Sequence, residues 1–366
     1  MMKHFAFAVC FFLMALSVHS QEQVDSTLTL EEIQFRDSIA ALNVSSLQTQ
    51  QIQETYNSAT QAFNSSDFSQ AISLFDEVTK LDSANSDAYY NKGLAHKELS
   101  QFDLAIDALS TAFVLDSSKT DALFHQAKCF FGKDDIANTL ATFDKLLDLN
   151  PKKAEAAYEK GVIYYVANDY QQAIDAFTHA ISIDPNYSYA LNDRASCYRA
   201  LEEYDLAIAD YLKAVANDPQ SFIFNNLASA YRKSGDSEKA LAYYAKAISK
   251  DANYHMAYNN RGTVYFENKD YDKALSDFKK ALEIQPDYPM ALCNRAAVYH
   301  LQENYTAALA DLEKAVKLQP NNATALLNRG ITREMLRNVD GACEDWQKAH
   351  QLGLEKGKEY YINNCD

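Results

Sequence analysis

The stretch "MAYNNRGTVYFENKDYDKALSDFKKALEIQP", Met256 to Pro286, decides the fold. It contains two segments of helical periodicity, separated by a polar turn and followed by a proline. Three small residues, Gly262, Ala274 and Ala281, stand where a helix that buried itself alone would carry larger side chains. The pattern predicts a helical hairpin whose two helices approach closely along a seam of small residues.

The same pattern recurs nine times along the chain, at spacings of 33 or 34 residues. Each copy has a small residue in its first helix, here called the anchor. Alanine (threonine in the third copy) follows twelve residues later, and a large apolar residue sixteen residues later. Nine such hairpins, in a chain with few glycines and prolines, predict an all-α fold. The anchors are Ala59, Gly93, Ala127, Gly161, Ala195, Ala228, Gly262, Ala296 and Gly330.

This register resembles the tetratricopeptide repeat family, whose unit of 34 residues is a helix-turn-helix with the same small–large–small spacing. The resemblance implies a right-handed α-solenoid, because one hairpin cannot bury its apolar face alone and neighbouring hairpins stack on it. Residues 52–353 then form nine repeats, whose first helices line an inner groove. Residues 21–51 form an N-terminal capping helix and a linker, and residues 354–366 form a C-terminal capping helix.

Both ends of the array carry signals for capping helices. Thr29 and Glu32 have the spacing of a capping box, which predicts that a helix begins there and covers the first repeat. The segment from Asn43 to Gln51 predicts a flexible joint between that helix and the repeats. Gly353 is expected to close the last hairpin before the final helix. The residues expected to cover the last seam are Tyr360, Tyr361 and Ile362.

Comparison of the copies with one another predicts an ion pair within the hairpin. Arginine directly before the anchor and aspartate fifteen residues after it occur together in four copies, and this aspartate occurs in no other copy. Two positions that change together in this way are expected to contact each other and to join the two helices. The pairs are Arg194–Asp210, Arg261–Asp277, Arg295–Asp311 and Arg329–Asp345.

The sixth copy departs from the pattern. The link before it is one residue shorter, and Asn217 and Lys250 on either side occupy a position that is Leu or Ile in the other seven copies. A polar residue in place of an apolar one removes buried surface. The sequence therefore predicts a local weak point, or a change of curvature, between these two residues.

The cysteines of the last copy form a second distinct pattern. Thirteen residues after the anchor every copy has Ile or Leu except the last, which has Cys343. This position faces the following helix, which here carries Cys365. In an oxidising compartment the two are expected to form a disulfide, and the alternative is two buried thiols. The ending resembles that of exported bacterial members of the family, which implies the same pairing.

The first twenty residues have the composition of a secretory signal peptide. Lys3 precedes an apolar run from Phe5 to Val18, and a small residue, Ser20, offers a cleavage site. Residues 1–20 are therefore expected to direct export to the periplasm or the cell exterior. No later apolar run is long enough to span a bilayer. The formal net charge of −16 disfavours nucleic acid as a partner, because phosphate binding requires a basic surface.

The resemblance also indicates which residues face the groove, namely those three and two before the anchor and one and four after it. Copies one to four have aromatic residues three before the anchor, whereas copies five to seven have asparagine there, and copies five and six have arginine four after the anchor. These amides look like the asparagine ladder of tetratricopeptide superhelices that bind peptides. The alternative is that each asparagine bonds to a neighbouring helix of the protein itself. The candidate groove residues are Tyr56, Tyr90, Phe124, Tyr158, Asn192, Asn225, Asn226, Asn259, Asn260, Asn294, Arg199 and Arg232.

The sequence contains no recognisable catalytic, phosphate-binding or metal-binding motif, so we expect neither enzyme activity nor a cofactor or metal. Cys293 and His300 are seven residues apart on one helical face, but no third group orients them. We expect a scaffold that binds an extended peptide or partner protein in the groove. The alternatives are a chaperone-like envelope assembly factor that binds many clients weakly, and a regulatory module of a partner enzyme. The partner and the oligomeric state stay open.

Overall fold

The computed structural model describes residues 29–365, and this part of the chain contains nineteen helices and no strand. The signal peptide expected at residues 1–20 lies outside the described residues. None of the nineteen helices is both long and apolar enough to cross a membrane. They are α1 (Leu30–Asn64), α2 (Phe68–Leu81), α3 (Ser86–Glu98), α4 (Phe102–Leu115), α5 (Thr120–Gly132), α6 (Ile136–Leu149), α7 (Ala154–Val166), α8 (Tyr170–Ile183), α9 (Ser188–Ala200), α10 (Tyr204–Asn217), α11 (Ser221–Lys233), α12 (Ser237–Lys250), α13 (His255–Glu267), α14 (Tyr271–Ile284), α15 (Pro289–Leu301), α16 (Tyr305–Leu318), α17 (Ala323–Met335), α18 (Val339–Gln351) and α19 (Glu355–Asn364).

The helices are grouped into two compact units, Met1–Leu149 and Asn150–Asp366. Consecutive helices pair as antiparallel hairpins, starting with α1 and α2 in unit 1 and with α7 and α8 in unit 2. Within each unit, every hairpin packs against the next one along the chain. Unit 1 thus contains three of the nine predicted hairpins, and unit 2 contains six hairpins and the terminal helix α19.

Each hairpin is closed by a contact between the anchor and the large residue sixteen positions later. A methyl group added at Gly161 would lie 2.5 Å from the ring of Phe177, and one at Gly262 would lie 2.8 Å from the ring of Phe278. Where the anchor is alanine, as at Ala195, it is fully buried together with its large partner, here Tyr211. The seam of small residues is therefore required by the close approach of the two helices.

The turn inside each hairpin has one fixed conformation. In the first, the N–H groups of Ser66 and Asp67 donate to the carbonyls of Phe63 and Ala62, which ends the first helix in a Schellman motif. The Asp67 carboxylate then accepts from the N–H of Gln70 and begins the second helix. The residue seven positions after every anchor is left-handed, with φ between 57° and 90°. These residues are Ser66, Ser100, Asp134, Asn168, Glu202, Gly235, Lys269, Glu303 and Arg337.

The N-terminal segment differs from the prediction. The capping box is present, because the Thr29 N–H donates to Glu32 (2.8 Å) and the Glu32 N–H donates to the Thr29 hydroxyl (3.3 Å). The joint predicted at 43–51 is helical, and α1 continues without a break into the first hairpin. This stretch has no Gly or Pro to interrupt a helix. The early part of α1 does not cover the repeat, since Phe35 is 68% exposed and Leu42 is 65% exposed.

The C-terminal helix α19 covers the last hairpin. Gly353, with φ of 91°, ends α18, and the ring of Tyr360 lies 5.2 Å from that of Trp346. Tyr361 packs on the same apolar cluster, whereas Ile362 is 64% exposed and does not contribute as expected, because it lies on the opposite face of α19. Cys343 and Cys365 form a disulfide with Cα atoms 5.8 Å apart, which ties α19 to α18.

The Arg–Asp pairs join the two helices of four hairpins, all in unit 2. In each, the guanidinium Nε and Nη2 donate to the two carboxylate oxygens of the aspartate, at 2.6–2.8 Å. All four aspartates are buried, while the arginines retain some exposure. A bidentate pair of this kind fixes the angle between the helices as well as their distance.

The weak point expected around the sixth copy stays a prediction, but its premise is weakened. The substituted position lies at the end of the second helix and is half-exposed even where it is apolar, as in Leu149, which is 52% exposed. Asn217 and Lys250 in place of Leu or Ile therefore remove little buried apolar surface. A large buried cluster that includes Ile223 and Leu227 continues across the short link.

We expect Gly161→Val to lower the free energy of unfolding by about 2 kcal/mol, because its side chain must displace the ring of Phe177. Urea unfolding followed by circular dichroism measures the change. The matched control is Ala310→Val on the exposed face of α16, which costs about 0.6 kcal/mol through helix propensity alone. Equal effects of the two substitutions would show that the seam tolerates a larger anchor.

We expect Arg261→Met to cost about 2 kcal/mol, because it leaves the buried carboxylate of Asp277 unpaired; the partial exposure of Arg261 keeps the cost below that of a fully buried pair. Replacing both residues, as Met and Leu, should recover most of the loss. Lys280→Met, in an exposed pair with Glu283, is the control and should change stability little. An unchanged urea midpoint for Arg261→Met would show that the pair does not contribute to stability.

Candidate peptide-binding groove

The first helices of successive hairpins contact one another directly throughout unit 2. They are α7, α9, α11, α13, α15 and α17, and they form one layer of the unit. Residues three positions before the anchor point into the boundaries between these helices. Asn192, Asn225 and Asn259 are accordingly buried, with Asn259 only 1% exposed. In these copies the slot is therefore buried between helices. The prediction that it forms an open wall of a groove was wrong for these three residues.

The buried asparagines form a ladder of side-chain hydrogen bonds between hairpins. The amide oxygen of each one accepts a hydrogen bond from the amide nitrogen of a second asparagine. This second asparagine lies two positions before the next anchor. The distances are 3.0 Å for Asn226–Asn192, 3.0 Å for Asn260–Asn225 and 2.9 Å for Asn294–Asn259. The ladder residues bond to neighbouring helices, which was the alternative interpretation of these asparagines. Their first role is to satisfy one another at the helix boundaries.

The ladder continues with other residue types at its N-terminal end. In unit 2 the Tyr158 hydroxyl donates to Asp193 at 2.8 Å, and Asn192 also donates to this carboxylate at 2.8 Å. In unit 1 the equivalent pair has the opposite polarity, since Asn91 donates to the Tyr56 hydroxyl at 2.7 Å. Burial raises the pKa of Asp193, because the loss of solvent outweighs the opposing effect of the hydrogen bonds from Tyr158 and Asn192.

The predicted aromatic residues are part of the packing within their own units. The rings of Tyr56 and Tyr158 lie 5.7 Å and 5.6 Å from the rings of Phe75 and Phe177, the large residues of their own seams. The ring of Phe124 likewise lies 5.8 Å from that of Phe143, whereas Tyr90 packs 5.9 Å from His125 of the next hairpin. All four are half-buried.

Open cavities occur where the other three slots meet. The residues two before the anchor, one after it and four after it line two adjoining cavities of about 210 and 30 Å³ along α13, α15 and α17. We call them together the C-terminal groove. Asn294 is among the residues that the sequence predicted for the groove, and the same slot rule also identifies Thr263, Phe266, Ala297 and Asn328. The lining is Thr263, Phe266, Phe278, Asn294, Ala296, Ala297, His300, Leu301, Leu312, Asn328, Ile331 and Thr332.

The ladder is interrupted at this groove. The residue that would accept from Asn328 is Cys293 in place of asparagine, and the Asn328 side-chain amide has no hydrogen-bond partner among residues 29–365. Asn328 lines the larger cavity instead. An amide that both donates and accepts is thus available to a ligand beside an apolar surface.

The Cys293–His300 pair finds no support as a catalytic site. Cys293 packs against apolar clusters between hairpins, and burial raises the pKa of its thiol to about 11. His300 lines the cavity with its ring 5.1 Å from that of Tyr305. A protonated, half-buried thiol is a poor nucleophile. Within residues 29–365 no group of three or more His, Cys, Asp or Glu side chains is arranged to hold a metal ion.

The two candidate arginines lie on α9 and α11. Arg232 donates to Glu267 at 2.8 Å, whereas Arg199 makes a long contact of 3.5 Å with the Ser229 hydroxyl and also interacts with the Tyr211 hydroxyl. Arg199 lines a third cavity of about 200 Å³ in the same layer of first helices. Its other lining residues are Tyr165, Ser196, Ala200, Glu202, Tyr204 and Lys233.

Comparison with known proteins agrees with this architecture. Family models described as tetratricopeptide repeat match residues 56–113, 90–152, 154–187, 176–209, 223–253, 255–288 and 289–322. These matches cover more than half of the chain, so it belongs to the tetratricopeptide repeat family, and its fold is an all-α solenoid of tandem hairpins. None of the curated proteins compared with the chain matches it.

Solved structures show the same fold at low sequence identity. A tetratricopeptide repeat protein from Parabacteroides merdae has a TM-score of 0.56 and 20% identity, and the match covers 68% of this chain and 99% of that one. The APC/C hetero-tetramer Cut9–Hcn1 has a TM-score of 0.55 and 18% identity, and the match covers 85% of this chain and 76% of that one. PilF of Pseudomonas aeruginosa has a TM-score of 0.51 and 22% identity, and the match covers 57% of this chain and 97% of that one. These likenesses concern the fold alone.

We expect Asp193→Asn to raise the melting temperature at pH 7 by about 2 °C, since it removes a buried charge; Tyr158 can accept from the new amide as Tyr56 does from Asn91. A carboxyl whose pKa is raised on folding destabilises the fold above that pKa. The gain should therefore disappear as pH falls through the raised pKa toward the ordinary 3.8.

Differential scanning calorimetry of both proteins across this pH range measures the effect. Asp175→Asn, on the exposed surface of α8, is the matched control and should show no such trend. A gain that does not vary with pH would show that the Asp193 charge is not its cause.

Proposed function

We propose that this protein is a non-catalytic scaffold that binds an extended peptide segment of a partner protein in the C-terminal groove. The observation that carries the proposal is the meeting of an apolar cavity with the step of the ladder at which Cys293 replaces the acceptor for Asn328. A peptide needs both a surface for its side chains and partners for its backbone groups. The groove offers the two side by side, without any rearrangement of the ladder.

The chemistry of the groove specifies how the peptide would be held. Phe266, Leu301 and Ile331 line the cavity and suit one apolar side chain. The Asn328 amide would donate to a backbone carbonyl and accept from a backbone N–H of the same residue. Because Thr263 and Asn294 line the adjoining small cavity, the peptide would continue along α13 and α15.

The proposal includes export to the periplasm or the cell exterior. The apolar run from Phe5 to Val18 supports it, as does the Cys343–Cys365 disulfide, because disulfides persist in oxidising compartments. The partner is then a protein of the same compartment. A protein with a formal net charge of −16 would select against strongly acidic surfaces and would favour neutral or basic segments at the rim.

We expect Ala297→Glu to abolish capture of the partner, because it fills the cavity with a charged side chain. The measurement is a pull-down from the native envelope extract, read by mass spectrometry. The matched control is Ala310→Glu on the exposed face of α16, which should capture the same proteins as the unaltered chain. The melting temperature of each variant verifies that it is folded.

The outcome also separates the alternatives. One stoichiometric partner lost by Ala297→Glu supports a dedicated scaffold, and many weakly held clients support a chaperone-like assembly factor. A captured enzyme would make the chain its regulatory module. Identical partners on Ala297→Glu and Ala310→Glu would refute the groove as the binding surface.

A further inference from the structure

The terminal helix α19 has few interactions of its own that would keep it in place. It has ten residues, fewer than the dozen or so that an isolated helix needs to be stable in water. Gly357 is its single buried residue, and no side chain caps its first turn. Within residues 29–365, no side chain of α19 forms a hydrogen bond or ion pair with another helix. Apart from apolar contacts, the Cys343–Cys365 disulfide therefore ties α19 to α18.

The preceding helix α18 is held much more firmly. The two carboxylate oxygens of Asp345 accept from Arg329 on α17, at 2.8 and 2.6 Å. Arg333, also on α17, donates to Asp345 and to the carbonyl of Gly341, both at 3.0 Å. This network does not involve α19. Detachment of α19 would therefore leave the last hairpin closed.

Trp346 connects α19 with the helix that lines the groove. Its fully buried ring lies 5.2 Å from the ring of Tyr360 on α19. The opposite contact is with α17, where a methyl group added at Gly330 would collide with the indole nitrogen. This nitrogen has no hydrogen-bond partner among residues 29–365, so packing alone fixes the ring. Loss of Tyr360 would remove part of that packing.

The part of α17 that Trp346 contacts also carries groove residues. Asn328, Ile331 and Thr332 line the larger cavity, and Gly330 lies between them in the sequence. Ile331 packs on the apolar cluster around Trp346, which α19 contacts as well. A movement of the Trp346 ring would therefore change the wall of the C-terminal groove.

The disulfide is accessible to a reductant. Cys343 and Cys365 are partly exposed, whereas two of the free cysteines, Cys129 and Cys197, are buried. A dithiol reduces a disulfide by thiol–disulfide exchange. The dithiol supplies two electrons and two protons, the S–S bond breaks, both cysteines become thiols, and the dithiol becomes a disulfide.

We infer that the Cys343–Cys365 disulfide is a redox switch of the C-terminal groove. In the oxidised chain, α19 packs on Trp346 and keeps the groove wall formed by α17 in place. In the reduced chain, α19 detaches and binding in the groove weakens. The inference rests on the proposed function and adds its regulation, since a dithiol protein of the same compartment would be the regulator.

The first test uses Trp346, the only tryptophan in the sequence, as a reporter. We expect dithiothreitol to shift its fluorescence emission to longer wavelength, because detachment of α19 admits water to the ring. Hydrogen exchange followed by mass spectrometry should become faster in α19 and around Gly330, and should stay unchanged in α11. An unchanged emission maximum, or a shift without faster exchange in α17, would overturn the inference.

Two variants separate the sulfur chemistry from the packing. The double variant Cys343→Ser/Cys365→Ser should have the emission of the reduced chain and should not respond to dithiothreitol. Gly357→Val should shift the emission even when oxidised, because an added carbon would lie 2.8 Å from the carbonyl oxygen of Trp346. Lys358→Val, on the exposed face of α19, is the matched control. Equal emission of Gly357→Val and its control would contradict the link between α19 and Trp346.

The pull-down then tests the effect on the groove. The reduced chain and the double serine variant should capture less of the partner than the oxidised chain. Equal capture by all three, with loss of the partner only in Ala297→Glu, would refute the switch and leave the proposed function intact. Undiminished capture by Ala297→Glu would refute the proposed function, and the switch of the groove with it.

Discussion

The structure depends on one steric constraint, the contact between the anchor of each hairpin and the large side chain sixteen residues later. At Gly161 and Gly262 there is no room for even a methyl group without displacing an aromatic ring. This contact fixes the distance between the two helices. It thereby places the neighbouring slots of the first helix in the layer that carries the ladder and the cavities. A larger anchor would move all of them together.

The described residues satisfy their polar groups in a repeating manner, and the candidate sites are the places where the repetition stops. The ladder bonds one hairpin to the next until Cys293 replaces the acceptor that Asn328 requires. In the same way, Arg199 lacks a carboxylate partner among residues 29–365, whereas Arg194, Arg232 and Arg261 each have one. Such interruptions are informative, because a repeat protein supplies its own internal reference for what each position normally does.

Much of the fold was predictable from the sequence, because the helix-packing constraints repeat nine times. The seam and the four Arg–Asp pairs follow from positions that change together. The joint predicted in α1 was wrong because polar residues without Gly or Pro do not end a helix. The sequence could not predict the hydrogen-bond partner of an amide such as that of Asn225, since the same residue at the same slot can face a ligand or a neighbouring helix. The cavities depend on small differences in helix packing that periodicity does not encode.

The disulfide between Cys343 and Cys365 makes the two ends of the array unequal in their resistance to unfolding. In a linear stack the end repeats have one neighbour each and open most readily. The C-terminal end is closed by a covalent bond, and all four bidentate Arg–Asp pairs lie in unit 2. The described part of unit 1 has neither, and the early part of α1 is solvated. A processive protease or translocase would therefore meet less mechanical resistance when pulling from the N-terminal side than when pulling from the C-terminal side.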